Sequence, residues 1–396
     1  MDSNTQRDER PTTGVLAGAP HPVGDRVLSL DGVRGLAILI VLIHNSAFIA
    51  GTSHLVFTQL VTTATAAGWV GVQLFFTLSG LLITGILLDA RGHDGYFRSF
   101  YLRRSLRIFP LYFAFVASAV FLAPRFAWDP DWVADVQAQQ WAYWLYLSNW
   151  TQPFHRGITG LSHLWSLAVE EQFYLVWPFV VYWLNRRRLV QVAVVLIVTA
   201  PFIRLALRLM GAPAEAPYMF TVARWDALAA GALLAAMLRD EGGRRIVRVW
   251  TARAALASLS ALALITLITR GFITESPLVE VLGESLIVLL STALLAASLQ
   301  PREVFTPLRT FLEAPWLRTF GKYSYAMYVL HFPIQGVLRH YFQALVQGPD
   351  TPWRVLRLVA YLSAVLVLTF VAALVSWVIL ERPFLKLKDR FAPRVG

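Results

Sequence analysis

Long runs of apolar residues recur along the whole chain and predict membrane-spanning helices. A span needs about 20 apolar residues, because a helix rises 1.5 Å per residue and the hydrocarbon core is about 30 Å thick. We predict ten spans, at residues 30–50, 69–89, 104–123, 163–184, 189–207, 225–238, 253–270, 278–299, 323–344 and 355–380. The expected fold is therefore an all-α, polytopic integral membrane bundle of about ten transmembrane helices.

The polar stretches between these runs set the expected domain limits. Residues 1–27 are rich in Pro, Gly and Thr and predict a disordered cytoplasmic tail. Residues 28–384 are expected to form one transmembrane domain, and residues 385–396 a short cytoplasmic tail. The Trp-rich stretch from Trp128 to Trp150 is too short to span, so it is predicted to lie at the interface or to re-enter the membrane.

Basic residues are distributed unevenly between the two sides of these spans. With the N-terminus in the cytoplasm, the flanks on that side hold 26 of the 35 Lys and Arg residues. Cytoplasmic flanks of membrane proteins carry such an excess, so both termini are predicted to be cytoplasmic. The same rule accounts for the net charge of +11, and we predict a lipid bilayer and no nucleic acid as a partner.

Composition narrows the chemistry that remains open. The chain contains no cysteine, which excludes disulfides, thiolate catalysis and Cys metal sites. We find no His or carboxylate cluster at metal-ligand spacing and no Gly-rich nucleotide loop, so we expect no metal and no permanently bound cofactor. An internal repeat, which would have favoured a transporter, is also missing.

The first predicted span contains an arginine and a histidine, Arg34 and His44. An Arg at the centre of a span costs about 2.5–3.5 kcal/mol on insertion scales, so such residues usually mark function. His is well suited to proton transfer near neutral pH. Ten positions separate the two, which is a rise of about 15 Å and an offset of about 80° around the helix. The alternative for His44 is a packing residue at a helix end.

Two further sets of polar residues share helix faces. Arg104 and Arg107, at i and i+3, present two guanidinium groups that suit phosphate, although membrane topology alone also explains arginines here. His163, Ser166 and Glu170 share the face of span four, and Glu171 points about 100° away. A Glu beside a His can orient its tautomer or support proton removal, and a structural network between helices is the alternative.

Four other polar residues have two interpretations each. Ser79 is read first as a small packing residue and second as an acyl-carrying nucleophile, although no base is adjacent in sequence. Arg224 and Asp226 either line an acceptor cleft or pair with each other. His331 precedes a proline two positions later and is either a packing histidine at a kink or a site residue.

Several motifs over roughly residues 28–384 occur together in one order. They begin at Leu30, Gly71, Tyr101, His163, Arg224, Tyr323 and Glu381, and they read LDGVRGLA, GVQLFFTLSGLLIT, YLRRSLRIFP, HLWSLAVEEQFY, RWDAL, YSYAMYVLH and ERP. In these motifs the chain resembles the acyltransferase-3 family, the membrane O-acetylases of polysaccharides and related acceptors.

The resemblance implies transfer of an acyl group from acyl-CoA to a hydroxyl of a cell-envelope or exported glycan at a bacterial cell membrane. Acetyl is the first candidate for the acyl group. Acetyl-CoA would be a co-substrate. His44 would be the general base, so acid pH should suppress activity by protonating it. The implied catalytic residues are His44, Glu170 and Glu171, and the implied acyl-CoA-binding residues are Arg34, Arg104 and Arg107. The acceptor-side or supporting residues are His163, Ser166, Arg224, Asp226, Ser79 and His331.

Two rival functions remain open from the sequence. One is acylation of a lipid or a macrolide-like small molecule. The other is a proton-coupled secondary transporter, because intramembrane His, Arg and Glu also suit a proton relay.

Overall fold

The fold is helical throughout the part of the chain that the structure describes. This computed structural model describes residues 27–47, 68–126, 130–155, 157–158, 160–269, 276–301, 303–346 and 352–391. Within these residues the regular secondary structure is α-, 3-10 or π-helix, with no β-strand, which confirms the predicted all-α class.

The longer helices are numbered here in chain order. They are α1 (Leu28–Ala47), α2 (Val70–Ala90), α3 (Tyr96–Ala117), α4 (Pro130–Trp144), α5 (Trp165–Trp183), α6 (Arg186–Leu209), α7 (Thr221–Met237), α8 (Glu241–Thr269), α9 (Glu284–Leu299), α10 (Thr306–Leu312), α11 (Pro315–Val346), α12 (Pro352–Ser376) and α13 (Arg382–Phe391). A π-helical stretch, Trp377–Glu381, joins α12 to α13, so the helix runs beyond the predicted end of span ten. Residues 1–26 of the predicted N-terminal tail and residues 392–396 of the predicted C-terminal tail lie outside the described residues.

Eight helical segments of the described chain are long and apolar enough to cross a membrane. They are Leu28–Ser46, Val70–Ala90, Tyr96–Arg125, Arg186–Leu209, Ala216–Met237, Glu241–Thr269, Val279–Leu299 and Trp353–Leu387. Predicted spans four and nine correspond to α5 and α11, which are 19 and 32 residues long but carry more polar side chains. The protein is therefore a multi-pass membrane protein, consistent with about ten spans.

One predicted boundary was incomplete. The sixth span looked short in sequence, and the structure extends it toward the N-terminus through the one-turn helix Ala216–Met219. The Trp-rich stretch contains α4, whose 15 residues are about 22 Å long and so too short to span, as the sequence predicted. Residues 128–129 of that stretch lie outside the described residues.

Glycines bring α2 and α7 into backbone contact. A Cβ on Gly80 would lie 1.9 Å from the carbonyl oxygen of Leu228, and a Cβ on Gly231 would lie 1.9 Å from that of Thr77. Small residues allow this approach between membrane helices, and dispersion between closely packed helices then stabilises the pair. Gly80 is therefore a helix-packing residue.

The same reciprocal arrangement joins α1 to α11. A Cβ on Gly35 would lie 2.0 Å from the Leu317 carbonyl oxygen, and a Cβ on Gly321 would lie 1.8 Å from that of Asp31. Because these contacts flank Arg34, they place its side chain at the meeting point of α1, α2 and α11.

Candidate active site

A cavity opens among α1, α2, α3, α5 and α11. Its lining combines aromatic and aliphatic side chains with a dense set of polar groups. The polar lining residues are Arg34, Ser79, Arg104, Arg107, Ser166, Tyr174, Glu170, Ser324, Tyr325 and Tyr328. Concave sites with a few convergent polar groups are the usual form of ligand sites.

The three arginines give the cavity a positive charge that the protein only partly neutralises. Arg34 forms an ion pair with Asp31, at 3.3 Å from Nη1 to Oδ1. The Arg104 guanidinium lies over the Tyr174 ring, 4.9 Å from its centroid. Among the described residues, neither Arg104 nor Arg107 has an ion-pair or hydrogen-bond partner, and Arg107 is exposed. Such guanidinium groups are free to bind an anionic ligand.

Glu170 is the carboxylate of this cavity. Its Oε1 accepts a hydrogen bond from Ser79 Oγ at 2.8 Å, and its Oε2 accepts one from Tyr174 OH at 3.2 Å. The positive charges of Arg104 and Arg34 also act on it. These contacts hold the carboxylate within hydrogen-bond reach of hydroxyl groups in the cavity, which is the geometry that a general base requires.

Glu171 lies one position further along α5, and so about 100° away from Glu170. It is not among the residues that line the cavity. The charge of Arg104 still acts on it. The two glutamates therefore occupy different environments, and Glu170 is the one that contacts cavity hydroxyls.

Ser166 and Glu170 both line the cavity, but His163 does not. His163 lies in the 3-10 turn Ser162–Leu164 before α5, its Nε2 donates to the Val329 carbonyl at 3.0 Å, and its ring stacks on Phe332. The Ser166 hydroxyl contacts Tyr328 OH at 2.5 Å, and Tyr328 OH donates to the His163 carbonyl at 3.0 Å. His163 is thus connected to Ser166 by backbone and hydroxyl groups rather than to Glu170.

His331 is fully buried and makes two polar contacts, of which the one with Asn45 could not be read from the sequence. Its Nδ1 donates to the Tyr328 carbonyl, so its Nε2 is the acceptor for the Asn45 side-chain amide at 3.0 Å. The His163 and His331 rings are 5.0 Å apart. Nothing in the chain distinguishes Asn45 from other polar residues at helix ends, so sequence analysis did not select it.

His44 lies away from this cavity. The helix α1 is uninterrupted between Arg34 and His44, so the rise of about 15 Å and the angular offset expected from sequence apply. Arg34 lines the cavity, whereas His44 is not among the lining residues. A Cβ on Gly68 would meet the Cβ of His44 at 2.2 Å, which places His44 against the segment that leads into α2. Its catalytic role stays a prediction.

Arg224 and Asp226 belong to a separate buried ion network and do not pair with each other. Arg204 binds Asp226 at 3.0 Å and Glu284 at 3.4 Å, and Arg224 binds Glu284 directly. Asp226 also accepts a hydrogen bond from the backbone amide of Ala227. Sequence analysis missed Arg204 and Glu284, although each is a charged residue inside an apolar run and could have been selected on that ground.

Comparison with known proteins gives a family match over most of the chain. The profile of a family described as "Acyltransferase domain", acyltransferase-3, matches residues 27–381. No solved structure matches the chain.

Three curated relatives cover most of this chain. YrhL of Bacillus subtilis is 30% identical over 325 residues, which are 77% of this chain and 48% of YrhL. The peptidoglycan O-acetyltransferase OatA of Listeria monocytogenes is 27% identical over 377 residues, 91% of this chain and 56% of the relative. The O-acetyltransferase OatA of Staphylococcus aureus is 26% identical over 384 residues, 90% of this chain and 57% of the relative. The chain thus spans about half the length of the curated relatives it matches.

Proposed function

The chain belongs to the acyltransferase-3 family, and on this premise we propose that it moves an acetyl group from acetyl-CoA to a hydroxyl of a cell-envelope glycan. The names of the Listeria and Staphylococcus relatives support O-acetyl transfer, and the first supports a glycan acceptor of the cell wall. The observation that carries the proposal is the cavity. Arg104 and Arg107, which have no ion-pair partner among the described residues, line it together with Glu170, whose carboxylate accepts a hydrogen bond from the Ser79 hydroxyl.

The arginines supply the donor site. Coenzyme A carries a 3′-phosphate and a pyrophosphate, and guanidinium groups bind such oxygens with two parallel hydrogen bonds. Arg107 is exposed at the cavity, Arg104 lies one helical turn away on the same face of α3, and Arg34 faces them from α1. Because neither Arg104 nor Arg107 has a direct ion-pair partner among the described residues, a phosphate would supply that contact.

Proton removal from the acceptor hydroxyl is the second requirement. The family resemblance assigns this role to His44. His44 lies about 15 Å along α1 from Arg34, and the long pantetheine arm of coenzyme A would have to bridge that separation. Glu170 is the alternative base and lies in the cavity itself. His44→Ala and Glu170→Gln decide between them, because general-base catalysis contributes about 10²–10⁴-fold and only the true base should lose that much.

Purified protein in detergent, mixed with acetyl-CoA and a glycan acceptor, tests the function directly. We expect release of free coenzyme A thiol together with one acetyl group on a glycan hydroxyl for each thiol released. Acetylation of a lipid or a small molecule instead would keep the enzyme class and replace the acceptor. Movement of acetyl-CoA or sugar across liposomes without any thiol release would contradict the proposal and support a transporter.

The donor must also reach the arginines from the cytoplasm. Because the chain has no cysteine, single cysteines can be labelled without background. His93→Cys, in the exposed segment between α2 and α3, should be shielded from an impermeant thiol reagent in intact cells. Met210→Cys, exposed between α6 and α7, should react. The opposite pattern would place the loop before α3 outside the cell and would contradict a cytoplasmic acyl-CoA donor.

A further inference from the structure

Ser79 and Glu170 form a hydroxyl–carboxylate pair inside the cavity, although 91 positions separate them in the chain. Ser79 is half-buried on α2, whereas its neighbours Leu78 and Gly80 are buried, so its side chain faces the cavity. The 2.8 Å contact from Oγ to Oε1 is within the reach that proton transfer to a base requires.

The other cavity serines lack this arrangement. Ser166 contacts the Tyr328 hydroxyl and the His163 carbonyl, and Ser324 donates to the Gly321 carbonyl of its own helix. None of these contacts provides a base, because a carbonyl oxygen does not take up a proton at neutral pH and a tyrosine hydroxyl already carries one. Among the described cavity serines, Ser79 is thus the one positioned as an activated nucleophile.

Positive charge surrounds the same position. Arg104 and Arg34 act on Glu170, and both line the cavity with Ser79. Guanidinium groups in a low-dielectric site stabilise the oxyanion that forms when a hydroxyl attacks a thioester carbonyl. Nucleophile, base and charge stabilisation therefore meet in one cavity.

We infer that Ser79 carries the acyl group as a covalent ester between donor and acceptor, with Glu170 as its general base, an inference that rests on the proposed acyl-CoA-dependent transfer. In the first half-reaction Ser79 Oγ attacks the thioester carbonyl and its proton passes to Glu170. The carbon–sulfur bond then breaks, and Glu170 returns the proton to the leaving thiolate, which releases coenzyme A.

In the second half-reaction the acceptor hydroxyl attacks the ester carbonyl on Ser79. Glu170 takes the acceptor proton, the bond between the acyl carbon and Ser79 Oγ breaks, and the proton restores the Ser79 hydroxyl. Both half-reactions use the same base, so His44 is not required for acylation of Ser79.

Trapping the intermediate tests this inference. The full chain in detergent is mixed with acetyl-CoA that carries a labelled acetyl group, without acceptor, then quenched in acid, digested and analysed by mass spectrometry. We expect one acetyl group on the peptide that contains Ser79 and none in Ser79→Ala. Ser79→Cys should carry the label as a thioester that neutral hydroxylamine removes faster than the serine ester.

Two further variants sharpen the test. Glu170→Gln should slow labelling by about 10²–10⁴-fold, since a general base contributes that much. Thr77→Val, on the same helix as Ser79, is the matched control and should label normally, because the Thr77 hydroxyl donates to the Gln73 carbonyl of its own helix. Ser79→Ala should still bind coenzyme A by calorimetry, which shows that it is folded.

The outcomes separate this inference from the function on which it rests. Two outcomes would overturn the Ser79 intermediate and leave the acyltransferase proposal standing. One is transfer to the acceptor with intersecting initial-rate lines and no label on Ser79. The other is transfer with the label on Tyr174 or His44. Parallel initial-rate lines with label on Ser79 would support the intermediate. Wild-type protein that neither releases thiol nor transfers acetyl would contradict both.

Discussion

Two groups of arginines lie inside this bundle, and they differ in how their charge is balanced. Arg204 and Arg224 are fully buried and bind Asp226 and Glu284. Arg104, in contrast, lies in a cavity where the described residues offer it an aromatic ring and no ion-pair partner. Both groups contain ionisable side chains within apolar helices, so location alone does not distinguish a structural arginine from one that binds a ligand.

Whether an arginine inside the bundle has a carboxylate partner is therefore the criterion that distinguishes a structural arginine from one that binds a ligand. Removing a charge from water is costly, and a buried pair offsets that cost only when its partners are close and hydrogen-bonded. The network of Arg204 and Arg224 meets this condition with two positive and two negative side chains and joins α6, α7 and α9. In the cavity, Arg104 and Arg107 have no direct ion-pair partner among the described residues, and an anionic ligand would supply one.

The largest effect is expected when the unbalanced arginines are removed together. Arg104→Ala with Arg107→Ala should weaken coenzyme A binding by about 3–6 kcal/mol, because hydrogen bonds to charged groups contribute about 1.5–3 kcal/mol each. Calorimetry on the detergent-solubilised protein measures the affinity. Arg98→Ala, an exposed arginine on the same helix, is the matched control and should bind normally. Unchanged affinity for coenzyme A in the double variant would contradict the assignment of these arginines to the donor site.

Breaking the balanced network should instead reduce stability. Glu284→Gln leaves Arg224 without its carboxylate, and loss of one partner of a buried pair costs about 3–5 kcal/mol. Thermal unfolding in detergent measures this loss. The protein that remains folded should bind coenzyme A as the wild type does. Glu241→Gln, an exposed glutamate at the start of α8, serves as control. A stable Glu284→Gln variant with weakened donor binding would erase the distinction between the two groups.

A smaller effect is expected when charge is kept but geometry is lost. Arg104→Lys with Arg107→Lys retains two positive charges and loses the guanidinium forks. If each site loses one net hydrogen bond of about 0.5–1.5 kcal/mol, binding weakens by about 1–3 kcal/mol. Titration of coenzyme A should place this variant between wild type and the double alanine variant. Affinity equal to that of the wild type would indicate that point charge alone binds the donor.

The smallest effect is expected for an ion pair that water reaches. Arg186 binds Asp240, and their side chains are 47% and 36% exposed. Solvent screens such pairs, so Arg186→Ala should change the free energy of unfolding by only about 0.2–1 kcal/mol. The same thermal unfolding assay measures it. A loss as large as that of Glu284→Gln would show that the contribution of an ion pair to the stability of this protein does not increase with its burial.

Sequence analysis located the helices well and their contacts poorly. The second span was predicted at 69–89 and is observed as Val70–Ala90, because the length and apolarity of a span follow from membrane thickness. The spacing of Arg104 and Arg107 placed both on one face, and both line the cavity. In contrast, sequence analysis offered Asp226 as a partner of Arg224, and the structure pairs Asp226 with Arg204 and Arg224 with Glu284.

Ser79 shows most clearly where sequence reasoning ends. Its motif indicated a small packing residue with no base nearby, since helical periodicity reports only on neighbours within a few positions. Glu170 becomes its partner because α2 and α5 meet, and that meeting depends on how the whole bundle packs.

Hydropathy and the helical repeat are local properties, so the all-α membrane class, the positions of the spans and the helix faces followed from the amino-acid sequence. The pairing of the arginines, the carboxylate that binds Ser79 and the position of His44 relative to the cavity followed from the packed bundle. Helix pairing depends on close contacts between distant segments, such as Gly80 against Leu228 and Gly321 against Asp31, and these contacts have no signature at the spacing of a single helix.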